Sequence, residues 1–381
     1  MKKVGISTVF TGYNYGSALQ AYATKYLLKQ MGYNGVIIKL SGSMVKGRDV
    51  RLKKIAAIAA KAVFKPSGAK GGIGAYYKAL SADYPTETKE AFEKFTYNYL
   101  EPQVISLHSL KKQARGVEYS AFICGSDQIW NADAYYVDPF YYLRYAPECK
   151  RIAFAPSFGR SRLPEYNKKI ISEYISGIPF LSVREESGAE IIKDITGRKA
   201  EVLTDPTLAL SASEWEEQFG LYSIVNVDYL LAYFLSEPSR EIKKEIRKFA
   251  RERGLKIIGI PYLFKNDSFI DELYFGGPKE FLSLVKNAAM VCTDSFHGTA
   301  FSLNFGVPFY TFERNYGTAG SQSTRIISLL KMTDTTDRYY KGGALVDLKT
   351  EFDRVSEVLK TERERSAEYL SRVLKEVSEN G

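Results

Sequence analysis

Short apolar segments alternate with amphipathic ones along this chain, and that alternation narrows its fold more than any other feature. Val4–Phe10 reads as a buried strand. A Gly/Asn-bearing turn leads into a helix whose Ala18, Leu19, Tyr22, Ala23, Tyr26 and Leu27 recur at helical spacing. Gly32 ends it as a left-handed cap would, and GVIIKL (35–40) is the next strand. Strand, turn, helix, strand is the start of a parallel α/β sheet. The pattern recurs at AFICGSDQIWN (121–131), RIAFAPSFG (151–159), PFLSVREESGAEIIKDITG (179–197) and AEVLTDPTLAL (200–210). Polar SASEWEEQFG (211–220) reads as a linker. The alternation then restarts at DYLLAYFL (228–235) and runs through a helix over 239–253 and a strand at LKIIGIPYL (255–263). A helix opened by Pro278, the strand MVCTDS (290–295), the helix HGTAFSLNFG (297–306) and the strand PFYTFER (308–314) follow. A helix over 323–332, a short strand near GALVDL (343–348) and a charged C-terminal helix complete the set.

A chain of 381 residues exceeds one ordinary core. The expectation is therefore an α/β protein of two Rossmann-like domains facing a cleft, 1–220 and 221–381, the second ending in the terminal helix. Ligands would sit at the carboxyl ends of the strands. Apolar residues make up 45%, which excludes a disordered chain. The 28 Tyr and 22 Phe fit either core filling or sugar-stacking loops.

No run reaches the roughly 18 apolar residues of a membrane helix. The opening MKKVGISTVFTGY is interrupted by Ser7, Thr8 and Thr11, so it reads as a strand rather than a signal peptide. Cys124, Cys149 and Cys292 form no CxxC pair, which points to a reducing, cytoplasmic setting without disulfides or structural zinc. Of the net charge of +9, the segment Lys46–Lys78 carries nine cations against one acid. The charge is thus a local patch in an insertion at about 43–80, and no nucleic-acid partner is expected. The patch could be a solvated insertion, or could meet anionic lipid at the inner membrane face.

Common nucleotide and hydrolase motifs are absent: no GxxxxGK[ST], no Asp-x-Asp, no Gly-x-Ser-x-Gly. The two histidines, His108 and His297, are too far apart for a local metal motif. What remains is a set of polar joints, each after an apolar run. They are Asn14-Tyr15-Gly16-Ser17, Gly125-Ser126-Asp127-Gln128, Pro156-Ser157-Phe158-Gly159, Arg184-Glu185-Glu186-Ser187, Asp205-Pro206 and Asp294-Ser295-Phe296-His297. A doubly wound sheet gathers such joints along one edge, where helix N-termini can meet an anion. Each joint also serves as ordinary helix capping. His297 suits a general acid/base or an oxyanion donor, or is a satisfied histidine at a helix start. Asp294 could orient its ring or cap the helix. Arg184 either pairs with Glu185 or Glu186, or forks onto a carboxylate or phosphate. Arg314 and Arg325 flank NYGTAGSQST (315–324), as surface charges or as cations carried by a closing loop.

The stretches NYGSALQAYA, GSDQIWN, FLSVREESG, VLTDPTLAL, TDSFHGTAFSLNFGVPF and TRIISLL together resemble the polysaccharide pyruvyl transferase family. The resemblance implies a GT-B-like pair of domains. It implies transfer of the enolpyruvyl group of phosphoenolpyruvate onto hydroxyls of a cell-surface glycan, or its lipid-linked precursor, as a ketal. It implies no cofactor beyond that co-substrate and no metal. On this reading His297 and Asp294 are catalytic, and Arg184, Ser295, Phe296, Gly298 and Arg325 bind the donor. Asn14, Gly16, Ser17, Ser126, Asp127, Gln128 and Ser157 line the cleft or take the acceptor. Many members read Arg-x-His where this chain has Ser295-Phe296-His297. The alternatives are a nucleotide-sugar glycosyltransferase in the same fold, and a non-catalytic glycan-binding or assembly protein.

Overall fold

The computed structural model describes residues 1–44, 84–131, 137–261, 268–314, 324–347 and 351–380. All but the first residues of the basic insertion, and nearly all of the Gly/Ser/Thr loop after Arg314, lie outside these residues.

Two compact units divide the chain. The first is Met1–Phe64, Thr96–Ala209 and Thr361–Gly381; the second is Lys65–Phe95 and Leu210–Lys360. In the first unit β1 (Lys3–Ser7), β2 (Asn34–Leu40), β3 (Gln103–Ile105), β4 (Tyr119–Cys124) and β5 (Arg151–Ala153) form a sheet ordered β3-β2-β1-β4-β5. Every pairing in it is parallel. A two-stranded parallel sheet, β6 (Ser182–Val183) with β7 (Glu201–Val202), extends this unit. In the second unit β8 (Tyr229–Tyr233), β9 (Lys256–Gly259), β10 (Glu272–Leu273), β11 (Met290–Thr293) and β12 (Phe309–Thr311) are ordered β10-β9-β8-β11-β12, again all parallel. The same topology is thus built twice. Each unit is Rossmann-like, as the alternation predicts, and the C-terminal helix is present at Phe352–Asn380.

The central strands are apolar on both faces because helices cover both faces of a parallel sheet. Val4, Ile6, Phe122, Ile123, Leu230, Leu231 and Val291 are all fully buried. Each such side chain contributes about 1.5–3 kcal/mol relative to exposure. The aromatic residues largely fill cores: Trp130 stacks on Tyr142 at 5.4 Å between centroids, and both are buried.

Two expectations are corrected. The stretch 211–220 is no linker but a helix, Ala212–Phe219. Ser211 and Glu214 close a capping box, Gly220 ends the helix in the left-handed region, and Trp215 and Phe219 are buried. The polar surface of that helix concealed an S-x-x-E start. Secondly, no strand forms over residues 343–347. That segment is irregular, although Tyr340 N–H donates to Thr311 O at the edge of β12. Leu210 and the helix after it lie with the second unit, where Leu210 O accepts from Asn304 and Trp215 packs on Phe301. Thr361–Gly381 also returns to the first unit, where Tyr369 Oη donates to Ala153 O.

No helix of the described residues is long and apolar enough to cross a membrane. Cys124 and Cys292 are buried and Cys149 is exposed. Burial pushes both inner thiols well above their ordinary range, so neither is a nucleophile at neutral pH. An aromatic disulfide reagent should titrate one thiol in the folded protein and three in denaturant. Fast modification of two or more under native conditions would contradict this packing.

Candidate active site

In each five-stranded sheet the strand order reverses beside the first strand, between β1 and β4 and again between β8 and β11. Such a reversal leaves a crevice at the carboxyl ends of the strands, where open α/β sheets bind ligands.

In the first unit the crevice is laced by a buried polar network. Gln20 Nε2 donates to Thr8 Oγ1 and Val9 O, each at 2.8 Å, while its Oε1 accepts from Ser126 N–H at 2.9 Å. One helical glutamine therefore ties the exit of β1 to the exit of β4. Ser126 Oγ lies 2.7 Å from Ala155 O and 3.0 Å from Asp205 Oδ2. Asp127 follows with φ of +63°, a left-handed conformation that Asp tolerates better than most residues. Its carboxylate accepts from Ser17 Oγ at 2.5 Å and from Gln128 N–H at 2.8 Å. Asn14 caps the helix Tyr15–Gln30 by accepting from Ser17 N–H, and Gly16 is buried in its first turn. Gln128 Oε1 accepts from Asn131 at 3.1 Å. Ser157 Oγ donates to Glu185 Oε1, which also takes the N–H groups of Phe158 and Gly159.

Arg184 is buried, and its guanidinium does not end in bulk water. Nη1 is hydrogen-bonded to Asp205, and Nη2 stands 3.7 Å from Asp127 Oδ1. Neither neighbouring glutamate takes the place that the sequence offered it: Glu185 instead holds the loop 157–159. The positive charge of Arg184 is thus compensated in place by two carboxylates.

In the second unit Asp294 occupies the equivalent crevice. Oδ1 accepts from Leu235 N–H at 2.6 Å, and Oδ2 accepts from Ser236 N–H and Oγ at 3.0 and 2.6 Å. This carboxylate fastens the exit of β8 to the exit of β11. The helix cap is Ser295, whose Oγ accepts from Gly298 N–H at 3.4 Å. That N–H is therefore committed to the cap. Gly298 has a packing reason as well, since a Cβ there would lie 2.5 Å from Thr293 Oγ1. Thr293 Oγ1 cannot yield freely, because it donates to Tyr233 O and accepts from Ser295 N–H.

His297 lies in the first turn of the helix Phe296–Phe305 and is 6% exposed. Its ring meets Phe296 edge-on at 5.3 Å. The buried Arg325 guanidinium lies over the same Phe296 ring at 5.6 Å, within range of a cation–π attraction. Arg314 donates to Asp294 O at 3.2 Å, and its Nε stands 3.6 Å from Asp294 Oδ2. Neither arginine is a plain surface charge: both belong to the surroundings of the helix start. The helix has no acidic residue in its first turn, so its N-terminal dipole adds to the positive field.

The structure thus gathers Ser17, Ser126, Asp127 and Arg184 in one network, and Asp294, Ser295, Phe296, His297, Gly298 and Arg325 around one helix start. The sequence reading passed over Gln20 and Ser236, and offered Glu185 only as a partner for Arg184 rather than as the tie of loop 157–159. Gln20 lay in an apolar helical run, and nothing in its spacing marked it as the tie between two strand ends. No group of three or more His, Cys, Asp or Glu side chains placed to hold a metal occurs among the described residues.

Solved structures with similar backbones include UDP-GlcNAc 2-epimerase from Neisseria meningitidis, bound to UDP-GlcNAc. It is 11% identical, with a TM-score of 0.45 over 98% of this chain and 94% of that one. A UDP-N-acetylglucosamine 2-epimerase from Rickettsia bellii is 10% identical, with a TM-score of 0.43 over 99% and 95%. The glycosyltransferase SnogD from Streptomyces nogalater is 10% identical, with a TM-score of 0.40 over 98% and 99%. At these values the likeness does not extend to ligand or reaction. No curated protein matches the chain. Residues 14–316 match the family model described as polysaccharide pyruvyl transferase, a span that includes Ser126, Asp127, Arg184, Asp294 and His297 but ends before Arg325. On that match, the chain belongs to the polysaccharide pyruvyl transferase family.

Proposed function

We propose that the protein transfers the enolpyruvyl group of phosphoenolpyruvate to two hydroxyls of a glycan or its lipid-linked precursor, forming a ketal. The observation that carries this reading is the surroundings of His297. A buried imidazole sits in the first turn of a helix with no acid in that turn, with Arg325 over the neighbouring Phe296 ring and Arg314 bonded to Asp294 just before the cap. A small donor bearing a carboxylate and a phosphate needs cations and a helix N-terminus. It also needs a group that can give and take a proton.

In this reading His297 protonates the donor methylene, leaving positive charge on the adjacent carbon. One acceptor hydroxyl adds to that carbon and loses its proton to a base. Phosphate then departs, and the second hydroxyl closes the ketal with loss of its proton. Acid and base are needed in turn, and one imidazole can serve as both. Arg325 and Arg314 supply charge to the donor's anionic end, and Arg184 is the further cation assigned to it. Asp294 holds the loop after β8, so its part is to keep the His297 turn in place. Asp127, Ser126 and Ser17 supply hydroxyl-compatible acceptors and donors for the glycan. The chemistry calls for no metal and no cofactor beyond the co-substrate.

A donor screen by thermal shift tests the donor. Phosphoenolpyruvate at 100 times its Kd should stabilise the protein by about 2.7 kcal/mol. Stabilisation by UDP-, GDP- or CMP-sugars in its place would make the protein a glycosyltransferase. Stabilisation by glycan alone would make it a binding protein.

His297→Ala should lower kcat by about 10²–10⁴-fold while the melting temperature changes little. Turnover at the native rate would remove His297 from the chemistry. Arg325→Ala should raise the donor KM about tenfold or more, as expected for losing a charged hydrogen-bond partner.

The cations of Lys46–Lys78 are assigned to the inner membrane surface, where a lipid-carried acceptor would be met. Sedimentation with anionic vesicles should exceed that with neutral ones, and fall as salt is added. Equal binding to both would end the electrostatic version.

A further inference from the structure

Asp205 has no part in the scheme above, yet its carboxylate is held on both oxygens. It is fully buried, and a carboxylate taken out of water is unfavourable unless donors and opposite charge compensate it. Its partners come from three strand-end segments. Oδ1 accepts from Thr207 N–H at 3.0 Å and from Thr207 Oγ1 at 2.8 Å. Oδ2 faces Ser126 Oγ at 3.0 Å and accepts from Arg184 Nη1. Thr207 thus fixes one edge of the carboxylate, and the carboxylate fixes one edge of the guanidinium. The other carboxylate near Arg184 differs in kind. Asp127 stands 3.7 Å from Nη2, and its side chain is 15% exposed.

We infer that Asp205 is a positioning residue for Arg184. A guanidinium is planar, and a carboxylate held on one edge sets the plane in which its remaining N–H groups point. This arrangement resembles the way an outer carboxylate orients a histidine that ligates a metal. Asp205 also compensates the charge of Arg184, so the arginine is kept buried and oriented before any ligand arrives. That the oriented fork meets the donor's carboxylate or phosphate rests on the donor reading given above. The orienting itself does not.

The test uses the whole chain with Asp205→Glu, Thr207→Val, Arg184→Lys and the double variant Asp205→Glu/Arg184→Lys. One arm is calorimetry with phosphoenolpyruvate. Asp205→Glu should weaken binding about tenfold, a coupling usual for groups in one network. In the Arg184→Lys background the same change should add nothing. The other arm is the order parameter of the Arg184 Nε–Hε group in ¹⁵N-labelled protein, assigned by its loss in Arg184→Lys. It should fall in both Asp205→Glu and Thr207→Val. Where Asp205→Glu does not fold, Thr207→Val carries the measurement, since it removes only the hydroxyl that steadies the carboxylate. An unchanged order parameter overturns the inference, as do losses of affinity that multiply in the double variant. If phosphoenolpyruvate fails to bind the native protein while the order parameter still falls, the donor reading fails and the positioning role stands.

Discussion

The reversal of strand order beside the first strand of each five-stranded sheet is the constraint on which the rest depends. A parallel sheet sends its chain out on one side and then on the other, so two neighbouring strand ends part company at the reversal. Backbone groups exposed there need partners. The two units meet that need with different chemistry. The first uses a neutral amide, Gln20, to join the ends of β1 and β4. The second uses a carboxylate, Asp294, to join the ends of β8 and β11. The side chains that the family reading singles out hang from these ties. Ser126 and Asp127 follow the first, and His297 lies three residues beyond Asp294.

This explains which parts of the protein were legible in the sequence. Hydrophobic alternation announces parallel strands directly, because a strand covered on both faces reads as a continuous apolar run. The polar joints after those runs marked the strand edge for the same reason. What alternation could not reveal is which polar group satisfies which. Asp294 looked like a cap or a partner for the imidazole, and proved to serve the loop after β8. Arg184 looked like a candidate for its adjacent glutamates, and proved to pair with Asp205, twenty-one residues on. Such pairings depend on tertiary approach between segments that sequence spacing leaves independent. The helix at 212–219 was missed for a different reason. Its apolar face is narrow, Trp215 and Phe219, and only the capping box distinguishes it from a polar linker.

The two crevices also differ in charge. Around Arg184 stand Asp205 and Asp127, with the buried Glu185 holding the adjoining loop. The named acids outnumber the cation there, so an anion is offered the Arg184 guanidinium that Asp205 orients but no surrounding surplus of positive charge. Around His297 the named charges are Arg314, Arg325 and Asp294, and the helix dipole adds positive character. Among these described groups, cations exceed acids. A donor with two anionic groups is therefore better matched to the second unit's crevice. The first unit's acceptor-rich network is better matched to hydroxyls, and Arg184 is the cation that Asp205 and Asp127 hold there.

Ser295 sharpens the same point. An arginine at this position would bring a guanidinium to the helix start, worth roughly 1.5–3 kcal/mol as a charged hydrogen bond. It would also forfeit the cap that Ser295 provides to Gly298 N–H, typically about 1 kcal/mol. The chain keeps the cap and draws its cations from outside the helix, from Arg314 after β12 and from Arg325 in the helix Thr324–Met332. Those two arginines belong to segments other than this helix, so the placement of positive charge about His297 does not depend on the helix alone. In a chain with arginine at the cap, the cation would be fixed by the helix alone. Here its placement is coupled to a separate segment of the chain, and Phe296, which carries the Arg325 contact on its face and the imidazole on its edge, is the side chain that links the two.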